Sequence, residues 1–171
     1  MHGVHLERLK EPITVEVESY RFSDIKWQEK PYEGRHTVTY KTEKFKETRT
    51  FPAGTVVTPL NQRAARVAVH ALEPDAPDAF VAWGFMDAIF EQKEYAEDYV
   101  MEALAPEMLS KDSQLKDEFE TRLRTDTSFA KSPSARLDFF YRRSPYWDRQ
   151  INLYPVARLM SDITLPIEPL R

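Results

Sequence analysis

Residues 13–22, "ITVEVESYRF", decide the fold. Ile13, Val15 and Val17 alternate with Thr14, Glu16 and Glu18, the period of two that marks a strand with one covered face. The apolar positions then change parity to Tyr20 and Phe22, which predicts a bulge or a strand edge near this point. A second strand is expected over 36–42, "HTVTYKT", with Val38 and Tyr40 on one side. A third, exposed and at an edge, is expected over 43–51, "EKFKETRTF", on the strength of Phe45 and Phe51. "FPAG" (51–54) suits a type I turn with Pro52 second and Gly54 fourth, leading into a short strand, "TVVTPL". Residues 12–60 therefore read as an antiparallel sheet, preceded by a flexible lead-in over 1–11.

From Asn61 the period becomes helical. Asn61 is a good N-cap for "QRAARVAVHALE", which Pro74 ends. A second helix is expected over "DAFVAWGFMDAIFEQ", capped by Asp78, and a third from about Glu94 to Leu104, with Pro106 kinking it or restarting a turn. Leu115, Phe119 and Leu123 form one stripe of an amphipathic helix. Ser132 followed by Pro133 is a specific helix start. The fold class is α+β: a β-rich part over 12–60, a mainly helical part over 61–145 packed on it, and an extended, proline-interrupted tail over 146–171, all in one domain.

Composition narrows the function. The chain has 171 residues, 42% of them hydrophobic and 12% aromatic, enough for a folded core. A net charge of −4, with 24 basic residues interleaved among 28 acidic ones, gives no reason to expect nucleic acid as a partner. No apolar run approaches the roughly 18 residues of a membrane span, and "MHGVHLERLKEP" has no apolar core of a secretion signal. The absence of cysteine excludes disulfides, thiolate metal sites and a cysteine nucleophile. Four glycines form neither a P-loop nor G-x-G-x-x-G.

His70, Ala71, Leu72 and Glu73 spell H-x-x-E, a spacing that puts two zinc ligands on one helix face. Catalytic zinc needs a third protein ligand and an open position, and no histidine follows His70. Arg63 and Arg66 share the face of His70 and oppose a dication. His70 and Glu73 are thus considered as metal ligands and rejected; His70 reads as a solvated histidine ion-pairing with Glu73. His2 and His5 read as parts of a bland terminus. Asp75 and Asp78 could serve as paired carboxylates, but a turn followed by a helix cap accounts for both. No G-x-S-x-G elbow is present. The stretch "FFYRRSPYWDR" (139–149) is the best candidate for ligand binding: Tyr141, Tyr146 and Trp147 beside Arg142, Arg143 and Arg149 could stack on a sugar or an extended peptide. The alternative is that the large rings are core and the arginines form ion pairs.

Several strings also carry a resemblance. "HGVHLERL", "PITVEVESYRF", "LEPDAPDAFVAWGF", "FEQKEY" and the closing "RSPYWDRQINLYPVARL" resemble the region that follows the catalytic domain in bacterial zinc carboxypeptidases of the carboxypeptidase A-like family. The similarity runs from His2 to about Leu159, which implies a natural domain boundary just before His2. The resemblance implies a zinc-dependent peptidase domain upstream, holding its metal on two histidines and a glutamate. It also implies an accessory, non-catalytic role for this chain, whose partner is that upstream domain, and a periplasmic or extracellular location. No catalytic or metal residue carries over to this sequence, so no cofactor is expected in it.

Overall fold

A computed structural model describes residues 3–92 and 95–170. The architecture is α+β, with antiparallel strands in the first half and five α-helices beyond. By contact the chain divides into two compact units, Met1–Glu91 with Gln150–Arg171, and Gln92–Arg149.

The first unit is built on a long hairpin. β2 (Ile13–Trp27) pairs antiparallel with β3 (Val38–Phe51) in unbroken register from Ile13↔Phe51 to Ser23↔Lys41. The two strands expected over 36–51 are therefore one. It pairs only with β2 among the described strands, at an edge as expected. The bulge expected near Tyr20 lies instead between Ser23 and Lys26, where Asp24 takes φ +53°. The parity change has another cause. Val17 and Ser19 are buried on one face while Tyr20 and Phe22 are buried on the other, so both faces of β2 are covered around residues 17–22. Tyr20 and Phe22 form the core with Ala79, Val81 and Tyr154, and Tyr40 and Phe90 pack against it. The Phe22 ring meets Tyr40, Phe90 and Tyr154 edge-on at 4.8, 5.4 and 5.5 Å.

The chain's closing segment runs along the free edge of β2: Tyr154 N–H donates to Tyr20 O, and Glu18 and Arg158 exchange backbone bonds of 2.9 and 2.8 Å. β1 (Glu7–Leu9) is the middle strand of a second, three-stranded sheet. β4 (Val56–Val57) lies on one side of it and β5 (Ile167–Pro169) on the other. Part of the segment expected as a flexible lead-in is thus held on both edges. The turn after β3 is one residue later than expected: Thr55 N–H donates to Pro52 O, which puts Gly54 third with φ +85°, the requirement of a type II turn.

α1 (Ala65–Leu72) begins after Ala64 rather than at Asn61. Gln62 is drawn away to the N-terminal segment, accepting from His5 N–H at 2.7 Å and donating to His5 O at 3.0 Å. The helix expected over residues 78–92 does not form. Tight turns and a short 3₁₀ helix, Asp87–Phe90, replace it. Gly84 has φ +71° with His36 O 3.1 Å from where a Cβ would stand, and Val38 N–H takes Ala82 O into the edge of the hairpin. A left-handed residue and a backbone bond to a strand outweigh helical periodicity here.

The second unit is four consecutive helices: α2 (Asp98–Lys111), α3 (Ser113–Thr125), α4 (Thr127–Lys131) and α5 (Pro133–Tyr141). The start expected at Glu94 lies outside the described residues. α2 continues through Pro106, with Met101 and Ala105 buried on its inner side. Asp112, Asp126 and Ser132 each cap the next helix, accepting from Leu115, Phe129 and Ala135 N–H. Ala105, Leu115, Phe129, Phe139 and Phe140 form the core, with Phe119 and Leu123 of the expected stripe packed on it.

Two substitutions check these cores. Phe22→Ala should cost about 3–5 kcal/mol through the cavity it leaves, and Ser132→Ala about 1 kcal/mol through the lost cap. Both are read from chemical unfolding curves.

Candidate functional site

The best-connected polar site in the first unit gathers around the end of α1, at Glu73-Pro74-Asp75. Pro74 terminates the helix, and Glu73 N–H still closes the last turn on Val69 O at 2.8 Å. Glu73 itself is already extended at ψ 120°, which takes its side chain off the helical path. Tyr20 Oη donates to Glu73 Oε2 at 2.6 Å, and Arg158 Nε lies 3.3 Å from Oε1. Arg158 Nη1 also reaches Glu18 Oε1 at 3.2 Å and the Tyr20 hydroxyl at 3.4 Å. Two more tyrosines hold backbone carbonyls: Tyr154 Oη donates to Leu72 O at 2.8 Å and Tyr40 Oη to Pro74 O at 2.6 Å. Asp75 accepts from Thr42 Oγ1 at 2.7 Å and faces Lys44 Nζ at 3.3 Å.

The electrostatics follow from burial beside carboxylates. Burial raises the pKa of Tyr20, and its bond to Glu73 raises it further. Burial and then the Asp75 charge push Tyr40 up to about 12. Burial raises Tyr154 as well. Arg158 is held in its charged form, chiefly by the Tyr20 hydroxyl. All three phenols are therefore neutral donors at ordinary pH.

The two ends of H-x-x-E have different surroundings. His70 is exposed, whereas both oxygens of Glu73 are taken by Tyr20 and Arg158. Glu73 pairs with Arg158 and not with His70, the partner expected from sequence. Among the described residues no three of His, Asp and Glu converge as a metal site would need. His5 Nε2 lies 3.4 Å from Glu7 Oε1; His2 lies outside the described residues. Asp75 is tied to β3 while Asp78 stands exposed.

The 139–149 stretch is split by its packing. Phe139, Phe140 and Tyr141 are buried, Tyr141 to 5% exposure, while Tyr146 is 59% exposed. Trp147 is half-buried and meets Tyr141 edge-on at 5.3 Å. Arg142 pairs with Asp138 at 2.8 Å and lies 5.5 Å from the Trp147 ring centre. Arg143 pairs with Glu118 and stacks on Phe139 at 3.8 Å. Arg149 is exposed. The structure thus brings Tyr141, Trp147 and Arg142 together and leaves Tyr146 as the one largely exposed ring of the three.

The comparisons give one local likeness. Carboxypeptidase 2 of Trichophyton tonsurans is 30% identical over 82 residues, 48% of this chain and 15% of that protein. The match spans a small part of the relative's length and suggests a carboxypeptidase-related origin. No protein-family model matches the chain, and no solved structure does. No helix of the described residues is long and apolar enough to cross a membrane.

The residues that make this site, Tyr20, Tyr40, Tyr154 and Arg158, carried no local motif. The parity change at Tyr20 and Phe22 was their trace in the sequence.

Two outcomes follow. Glu73→Ala should cost about 1–3 kcal/mol, because Tyr20 and the partly buried guanidinium of Arg158 lose a charged acceptor; His70→Ala, at an exposed position, should change stability by less than about 0.5 kcal/mol. The tyrosines set the second. Their folded pKa values lie above the unfolded value, so the unfolded chain loses those protons first. Their stabilising contribution is complete below about pH 10 and falls as pH rises toward the Tyr40 value of about 12. Thermal unfolding across an alkaline series reads this, and Tyr40→Phe should flatten part of the decline.

Proposed function

We propose that the chain is an accessory region of a zinc carboxypeptidase-like protein, non-catalytic by itself, which packs on and supports a peptidase domain preceding it in the same polypeptide. The observation that carries this reading is the local identity to carboxypeptidase 2 over about half of the chain. It agrees with the resemblance of "LEPDAPDAFVAWGF" to the region after a catalytic domain. The commitment of Glu73 to Tyr20 and Arg158 supports a structural rather than a chemical role for the one metal-like motif. Zinc belongs, in this reading, to the upstream domain, and peptide-bond hydrolysis at a C-terminus is the activity of the longer protein. A periplasmic or extracellular location follows from the same resemblance.

The test has two arms. The chain purified without chelator should hold no stoichiometric zinc and cleave no peptide when zinc is added; bound zinc with activity overturns the non-catalytic reading. DNA upstream of the first codon should continue in frame through an H-x-x-E and a distant histidine. Deleting residues 1–171 from that longer protein should lower its thermal stability and its active lifetime. A stop codon directly upstream overturns the accessory role.

A further inference from the structure

The helical unit is one unbroken stretch of chain, residues 92–149, whereas the first unit consists of the two stretches that flank it, 1–91 and 150–171. The flanking ends are held together. Asn152 N–H donates to Ile89 O at 2.9 Å, and Asn152 O accepts from Phe22 N–H at 2.9 Å. Asn152 takes φ +59° in a turn that Leu153 N–H closes on Gln150 O. The two stretches of the first unit thus meet beside the points where the chain leaves it and re-enters it. Neighbouring ends of this kind are where an insertion is tolerated. Glu91 and Gln92 on one side, and Asp148, Arg149 and Gln150 on the other, are exposed and outside any helix or strand.

Each unit also carries its own core. Tyr20, Phe22, Ala79, Val81 and Tyr154 draw on both stretches of the first unit. Ala105, Leu115, Phe129, Phe139 and Phe140 all come from the inserted stretch. There Phe119 meets Phe129, Phe139 and Phe140 with ring centres 5.8, 5.4 and 4.8 Å away, and Phe139 meets Phe129 at 5.8 Å and Phe140 at 5.3 Å. The caps Asp112, Asp126 and Ser132 lie in the same stretch as the helices they start. These contacts are short-range in sequence, and a chain of about 55–65 residues can fold on contacts of that kind.

We propose that residues 92–149 are an inserted unit that opens and closes cooperatively on its own while the first unit, with the Glu73 site, stays folded. The fold thereby contains a conformational device. The grouping of Tyr141, Trp147 and Arg142 is made or lost without disturbing Glu73, Tyr20 and Arg158. The proposal does not depend on the carboxypeptidase reading.

Hydrogen exchange of the full chain tests it, read by mass spectrometry on peptides from 98–141 and from the hairpin strands, 13–27 and 38–51. Under rising denaturant the helical and hairpin peptides of the native chain should lose protection as two separate groups. Phe139→Ala should speed exchange across 98–141 about a hundredfold or more and leave the hairpin rates within about twofold. Phe22→Ala should do the converse. If Phe139→Ala unfolds the helices outright, the hairpin should still keep its protection, and Ser132→Ala, the milder loss of a cap, should speed the helical amides about fivefold. One common loss of protection in the native chain overturns the proposal, as does a variant whose effect spreads equally to both groups.

Discussion

The carboxylate of Glu73 stands where α1 stops, and the first unit depends on what it accepts. Tyr20 reaches it from the centre of the hairpin and Arg158 from the closing segment, elements 53 and 138 residues apart in the case of Tyr20 with Glu73 and with Arg158. One side chain thus links a helix, a strand and the end of the chain. The linkage is demanding because a half-buried carboxylate without donors is costly. Tyr154 extends the same logic to the carbonyl of Leu72, which a helix terminus otherwise leaves open, and Tyr40 to the carbonyl of Pro74 just past the cap. The hydroxyls serve the helix end while Tyr20 and Tyr154 meet edge-on at 6.2 Å in the core. An aromatic with a polar tip can do both.

This arrangement also explains why the two halves of the sequence differ in legibility. In the helical unit the signals are local: the Ser132-Pro133 start and the Leu115/Phe119/Leu123 stripe depend on residues within a few positions, and they form as read. In the first unit the decisive bonds are long-range. Asn61 looks like a cap, but Gln62 is required by His5, and the helix waits until Ala65. The apolar run 79–90 looks helical, but Ala82 O is claimed by Val38 N–H and Gly84 turns left-handed. Only Gly84 was a local warning. The alternation in β2 gave the strand correctly and misplaced its bulge, because burial on both faces around residues 17–22 produces the same parity change as an inserted residue.

The candidate site divides the same way. Ligand count alone weighs against His70–Glu73 as a zinc pair in the sequence, since catalytic zinc requires three protein ligands. The true partner of Glu73 needed the fold, because Arg158 lies 85 positions away in sequence (158 − 73) and belongs to no pattern. The 139–149 stretch is mixed: its spacing at the end of a helix sends Phe139, Phe140 and Tyr141 inward together, and its arginines then cover the rings while pairing with Asp138 and Glu118. A composition rich in tyrosine, tryptophan and arginine describes an interface and a covered core equally well.

That equivalence is why exposure carries more weight than composition in choosing a contact surface. Trp147 and Tyr141 lie edge-on to each other, and Tyr141 is closed off from solvent. Tyr32, Phe80 and Phe85 have the same chemistry, yet their hairpin and turn hold them outward through backbone bonds that do not require the rings to be buried. A fold that could have turned two phenylalanines inward and instead fixes them at the surface keeps apolar area in water.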